Sequence, residues 1–268
     1  MRKILSLLLI MFLLTSCVER KVPSKRIGVI AQRAKVLGNK RPNYKKSVTV
    51  VRDTIVVYER DSIFLPDCPD LGKRKVSHWY TDGNLNIQML NEACDFNLSY
   101  TRKFAADLGA KHSGYFNINQ ACEIFKYCMS KWGYVNDPYG QEYVASASET
   151  ICSNLRGDCD DFAVLLTSLM MSIGGNARIV LVPGHAYAEL DITDIASKND
   201  VIKAIREVNE VNVSKVYTTN DHGRVWLSMD WGEGTHYIGQ NYTVPSHDFD
   251  LYMYNRSTKS WEWETLRK

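Results

Sequence analysis

The sequence predicts a mixed fold of helices and strands, and three observations carry that expectation. Apolar residues recur at helical spacing in two stretches, from Ile118 to Trp132 and from Phe162 to Ile173. Three short β-type runs follow, at Ala177–Val182, His185–Leu190 and Val225–Trp231. Gly174-Gly175, Pro183-Gly184 and Asn220-Asp221-His222-Gly223 punctuate them where a helix must stop or a strand must turn.

The elements can be justified in chain order. Arg2 and Lys3 precede an apolar run from Ile4 to Leu14, too short to span a bilayer and of the right length for an export signal. The run ends Leu14-Thr15-Ser16-Cys17, which resembles a bacterial lipoprotein signal. The resemblance implies cleavage before Cys17, lipidation of its thiol, and residues 1–17 as the signal peptide. Val18 stands where an inner-membrane retention signal places Asp, so the expected location is the cell envelope, lipid-anchored in the outer membrane, with either face open. Residues 18–47 carry ten Lys or Arg against Glu19 alone, with Pro23, Gly28, Gly38 and Pro42 and little apolar periodicity. They read as a basic flexible linker. Residues 48–89 form an extended segment of uncertain packing: Val48, Val50, Val51, Ile55, Val56 and Val57 suggest strands, and Arg52-Asp53-Thr54-Ile55 returns as Arg60-Asp61-Ser62-Ile63. Residues 90–268 make the expected main domain.

Within that domain, Ile118, Ala121, Cys122, Phe125, Cys128, Met129 and Trp132 give one helix. Phe162, Leu166, Leu169 and Ile173 give a second, with Gly174-Gly175 as its stop. Cys159 heads this second helix in Gly157-Asp158-Cys159-Asp160-Asp161-Phe162-Ala163. A thiol at a helix N-terminus meets unpaired backbone N–H groups and the positive end of the macrodipole, both of which favour thiolate, the reactive form. Asp158, Asp160 and Asp161 read as caps matched to that dipole rather than as a cation site, so neither a metal nor any cofactor is expected.

His185 opens the second β run, where an imidazole can take a thiol proton and return it to a leaving group. In the third run Val225, Leu227 and Met229 share one face and Trp226, Ser228 and Asp230 the other, because side chains alternate along a strand. A carboxylate at Asp230 can accept the second ring N–H of His185. Between these strands a helix is expected around Lys198–Val208.

Composition sets the outer limits. The chain has 268 residues, 45% hydrophobic and 24% charged, with a net charge of +3. The basic excess sits in the linker, since residues 48–268 hold 21 basic against 29 acidic residues. A nucleic-acid role is not expected of such an exported chain. Of the seven cysteines, those at 68, 94, 122, 128 and 152 remain once Cys17 and Cys159 are set aside. Five allow at most two disulfides, in a connectivity the sequence leaves open. No CxxC spacing occurs, which counts against a redox or zinc protein.

Cysteine on a helix, histidine on a strand and aspartate on the next strand, in that order, resemble a transglutaminase-like domain of the papain-like thiol superfamily. The matching residues are Glu149-Thr150, Gly157 to Ala163, Gly174 with Arg178, His185-Ala186-Tyr187 with Glu189, and Trp226 with Asp230. The resemblance implies an α+β fold in which a helical part carrying Cys159 packs on an antiparallel sheet carrying His185 and Asp230. It also implies an upstream aromatic residue at the oxyanion, for which Trp132 and Tyr134 are both candidates, beside the backbone N–H of Cys159.

The expected function is therefore that of a lipid-anchored thiol enzyme with the catalytic triad Cys159, His185 and Asp230. It would act on amide bonds of protein or peptide substrates, cell-wall peptide among them. Whether amine or water resolves its thioester, giving crosslinking, deamidation or peptide hydrolysis, stays open. The alternative is a non-catalytic peptide-binding or scaffold lipoprotein that keeps the fold.

Overall fold

The computed structural model describes residues 48–51, 54–57, 68, 77–78, 87–137, 141–245 and 248–267. The expected signal peptide with Cys17 and the expected basic linker lie outside the described residues. The chain divides into two units, residues 1–57 and 58–268. In the first, β1 (Val48–Val51) pairs antiparallel with β2 (Thr54–Val57), Val51 opposite Thr54. The echo at 60–63 lies outside the described residues.

The second unit is an α+β structure. Its helices are α1 (Ile87–Ala93), α2 (Ser99–Gly109), α3 (Ile118–Lys131), α4 (Ala147–Cys152), α5 (Cys159–Ser172) and α6 (Lys198–Asn209). Strands β7 (Ala177–Val182), β8 (His185–Asp191), β9 (Thr218–Asp221), β10 (Arg224–Met229), β11 (Phe249–Asn255) and β12 (Ser260–Leu266) form one antiparallel sheet in the order β12-β11-β7-β8-β10-β9. Three two-residue strands, β3 (Ser77–His78), β4 (Gly133–Tyr134) and β5 (Gln141–Glu142), precede a fourth, β6 (Arg156–Gly157). The pair β3–β5 is antiparallel and β4–β6 parallel.

Helix α5 is buried all round from Asp160 to Met171, the signature of a central helix rather than a surface one. It packs on β7 and β8 and against α2, α3 and α4. Phe162, Leu165, Leu166, Leu169 and Met170 are each at most 1% exposed, and side chains of this size stabilise a fold by roughly 1.5–3 kcal/mol each when fully buried. Helices on the outside are amphipathic and capped: Asn117 accepts from the Gln120 N–H at the start of α3, and Ser197 from the Asp200 N–H at the start of α6. Among the described residues no helix is long and apolar enough to cross a membrane.

Alternation along the strands sorts the sheet into two faces. Ile179, Ala186, Ala188, Leu190, Leu227 and Met229 join the main core under α5. On the reverse face, Val180, Tyr187 and Leu251 form a small second cluster. Arg178 lies there too, 2% exposed, with Nε and Nη2 on Glu189 Oε2 at 2.8 and 2.7 Å and Nη1 on Asp221 Oδ2 at 2.6 Å. Its guanidinium covers the Trp226 ring at 4.0 Å. Two carboxylates and an aromatic face thus compensate one buried cation, as the interior requires. Arg178 and Glu189 stitch β7 to β8, which sets the strand that begins with His185.

One disulfide, Cys68–Cys152, ties residue 68 to the C-terminus of α4 across 84 residues of chain. Cys94, Cys122 and Cys128 are buried and outside any disulfide among the described residues.

Candidate active site

Helix α5 starts under tight local control. Gly157 pairs with Tyr134 in the parallel β4–β6 bridge, with the Gly133 N–H on Leu155 O at 2.9 Å and the Val135 N–H on Gly157 O at 2.8 Å. A Cβ at position 157 would overlap the Asp161 carboxylate, so the close approach of side chain to backbone demands glycine. Asp161 accepts from the Ala145 N–H at 2.6 Å and the Asp158 N–H at 3.2 Å, while Asp160 accepts from the Asp161 N–H at 2.8 Å. Burial first, then the charge of Asp158, push Asp161 up to about 8. Oxygens of Asp158, Asp160 and Asp161 lie within 4.8 Å of one another, and the hydrogen bonds just given direct Asp160 and Asp161 to backbone N–H groups of this helix start and of Ala145.

Cys159 is the first residue of α5 and half-buried. Its backbone N–H is one of the four at a helix start with no intrahelical acceptor. The other thiols are of a different kind. Burial, then the charge of Glu123, push Cys122 up to about 12, and burial pushes Cys128 higher still.

His185 is delivered by the β7–β8 hairpin, whose two-residue turn is Pro183-Gly184, with Val182 opposite His185. Gly184 takes φ +75°, open to glycine at no steric cost. The imidazole Nε2 lies 2.7 Å from Asp230 Oδ1, and the Cys159 thiol is close enough to the ring to raise its pKa. With Nε2 on the carboxylate, Nδ1 is the nitrogen left for sulfur. Burial alone would lower the His185 pKa; the hydrogen bonds of Asp230 and Cys159, and their charges, outweigh it and hold the ring up at about 9. Asp230, whose side chain is fully buried, follows β10 directly. The three residues that the sequence spreads over 72 positions therefore meet at one place, with His185 between the thiol and the Asp230 carboxylate.

The two upstream aromatics part company. Trp132 packs edge-on against Phe162 at 4.6 Å between centroids, and its indole N–H is buried without an acceptor among the described residues. Tyr134 is 43% exposed, stacked on Trp231 at 4.7 Å, and close enough to Cys159 to feel its charge. Burial first, then that charge, raise the Tyr134 hydroxyl to about 12, so it stays a donor.

Three further side chains surround the site. Trp231 forms the other half of the Tyr134 stack. Tyr187 lies parallel to the His185 ring, 6.0 Å between centroids. Thr243 donates to the second oxygen of Asp230 at 2.7 Å. Thr243 sits in an irregular stretch, where no periodicity marks which side chain turns inward. A separate groove of about 810 Å³, lined by Arg102, Lys103, Met171, Gly174 and Arg256 among others, opens at the far end of α5. A 14-residue helix is about 21 Å long, so that groove and the thiol are not one site.

Comparison with known proteins agrees with this geometry. Residues 102–231 match the family model of the transglutaminase-like superfamily, a span that holds Cys159, His185 and Asp230. No curated protein matches the chain significantly. Among solved structures, a candidate cysteine protease from Cytophaga hutchinsonii aligns at 17% identity and a TM-score of 0.31, over 68% of this chain and 56% of that one. This chain thus spans little more than half the length of that structure. Over residues 102–231, then, the chain is similar to the transglutaminase-like superfamily.

Proposed function

We propose that this protein is a cysteine acyl-transfer enzyme in which Cys159 attacks the carbonyl of an amide. One observation carries the reading: the Cys159 thiol lies beside the His185 ring, whose Nε2 is held at 2.7 Å by a fully buried carboxylate. The sulfur bonds to carbon and the carbonyl oxygen becomes an oxyanion. His185, holding the thiol proton, passes it to the departing nitrogen, and a thioester remains. An amine or a water, deprotonated by the same imidazole, then attacks the thioester and the thiol is restored. Asp230 keeps the ring in one tautomer and steadies its cationic form.

The oxyanion falls to the Cys159 N–H and to the Tyr134 hydroxyl. Tyr134 is the better of the two aromatic candidates because it is exposed beside the sulfur and hydrogen-bonded into place through β4, whereas Trp132 serves packing. The substrates are proteins or peptides, and the enzyme works in the bacterial envelope, held by lipid on Cys17. The Cys68–Cys152 disulfide supports an oxidising compartment.

The test compares full-length protein with Cys159→Ala on an envelope extract supplied with a biotin-tagged primary amine. Mass spectrometry of the peptides separates amine incorporation, deamidation and new termini. At least one product class is expected with the native protein and none with the variant; identical products from both would leave a binding module instead.

A further inference from the structure

We infer that Thr243 is a fourth, positioning member of the site, acting on His185 through Asp230. The inference rests on the triad reading and goes beyond it, because residue 243 lies twelve positions past the end of the matched family core.

The Asp230 carboxylate is shut away from water, so each of its oxygens needs a partner inside the protein. Oδ1 takes the His185 ring at 2.7 Å, and Oδ2 takes the Thr243 hydroxyl at the same distance. A carboxylate bonded at one oxygen can still turn about its Cβ–Cγ bond, whereas one gripped at both has its plane fixed.

Thr243 is itself held. After β10 the chain folds back along the reverse face of the sheet. The Gly239 N–H donates to Ser228 O at 2.9 Å, the Ser228 hydroxyl to Asn241 O at 2.8 Å, and the Asn241 amide to Trp231 O at 3.2 Å. The Asp230 N–H in turn donates to the Ser228 hydroxyl at 3.3 Å. Next in the same stretch, Tyr242 meets the Tyr187 ring edge-on at 6.0 Å, and Tyr187 lies along the His185 ring. One strap, residues 239–243, therefore grips the carboxylate with Thr243 and, through Tyr242, backs the Tyr187 ring that lies along the imidazole. Cys159, Tyr187 and Tyr242 also lie near Asp230 or His185, and none of them takes the place of Thr243 on Oδ2.

The experiment measures the rate at which iodoacetamide alkylates Cys159 at pH 7 in the full-length protein, by peptide mass spectrometry. Thr243→Val removes the donor and keeps the shape; Thr243→Ala removes it with the methyl, so one reports if the other fails to fold. Both should slow alkylation about tenfold, the scale of a lost hydrogen bond to a charged group, and Thr243→Ser should recover to within about twofold. The His185 imidazole, followed by NMR, should titrate below its native value of about 9 in the valine variant and near it in the serine variant. In an Asp230→Ala background, adding Thr243→Val should change nothing further, since the two residues act in series. Wild-type rates in both donor-less variants, a serine variant as slow as valine, or an equal loss in the Asp230→Ala background would each overturn the inference. If His185→Ala and Asp230→Ala leave the rate untouched, the triad reading itself has failed, which is a different result.

Discussion

A half-buried imidazole gives up its proton more readily than one in water, yet His185 keeps it to about 9. Its two hydrogen-bond partners do this, and the same preference acts on the stability of the fold. The unfolded ring titrates near 6.5, so the folded state binds the proton more tightly. That contribution is fully present below about pH 6.5 and is lost as the pH climbs through about 9. The difference in unfolding free energy between wild type and His185→Ala, from urea melts, should therefore be largest below pH 6.5 and shrink by up to about 3 kcal/mol by pH 9 and above. A difference that grows with pH would contradict the assignment. Cys159, His185 and Asp230 were all legible in the sequence because each sits at the boundary of a well-marked element. Thr243 lies in irregular chain and left no such mark, and spacing alone did not choose Tyr134 over Trp132, since only Gly133 separates them.

Helix α5 is the element that presents the nucleophile, and its first turn depends on the contact between Gly157 and the Asp161 carboxylate. Gly157→Ala should drive Asp161 off the Ala145 and Asp158 N–H groups, destabilising the protein by roughly 1–3 kcal/mol, as overpacking does. It should also slow Cys159 labelling, because the helix start would tilt. Thermal melts and alkylation rates read the two effects, and an alanine variant with native values for both would show that the contact is not needed. The sequence marks α3, α5, α6, β7, β8 and β10 closely: helical spacing or β-branched runs name them, and His185 and Asp230 fall where the strand patterns begin and end. It does not mark β11 and β12. Strand β11 pairs with β7, some seventy residues earlier, and a pairing so distant leaves nothing periodic in the local sequence. Strand β12 is an edge, largely exposed on both faces, with Trp261 and Trp263 alternating with Glu262 and Glu264. Helix α2 buries Tyr100, Phe104 and Leu108 at fourfold spacing, but the arginine, the lysine and the alanines between them blur the pattern.

For the molecule as a whole, the α+β division places chemistry where helix and sheet meet: α5 brings sulfur to the edge at which β8 begins and β10 ends. The Cys68–Cys152 bridge fastens chain upstream of α1 to the helix that leads into the nucleophile loop. The sequence limited the count of disulfides but not their partners, because pairing is set by three-dimensional proximity across 84 residues. Closing a loop of that length stabilises a fold by roughly 2–5 kcal/mol through the unfolded chain. Cys68→Ala with Cys152→Ala should accordingly lower the thermal midpoint by several degrees, and dithiothreitol should do the same to the wild type but not to the double variant. A melt indifferent to reductant would show that the bridge does not form in solution.

The most direct test of one reactive line of sulfur, imidazole and carboxylate is the alkylation rate of every cysteine, read peptide by peptide at neutral pH. Cys159 should react well before the buried thiols at 94, 122 and 128, and His185→Ala should slow it about tenfold or more without changing the others. Rates that are equal across the cysteines, or a Cys159 rate unmoved by loss of the histidine, would contradict it.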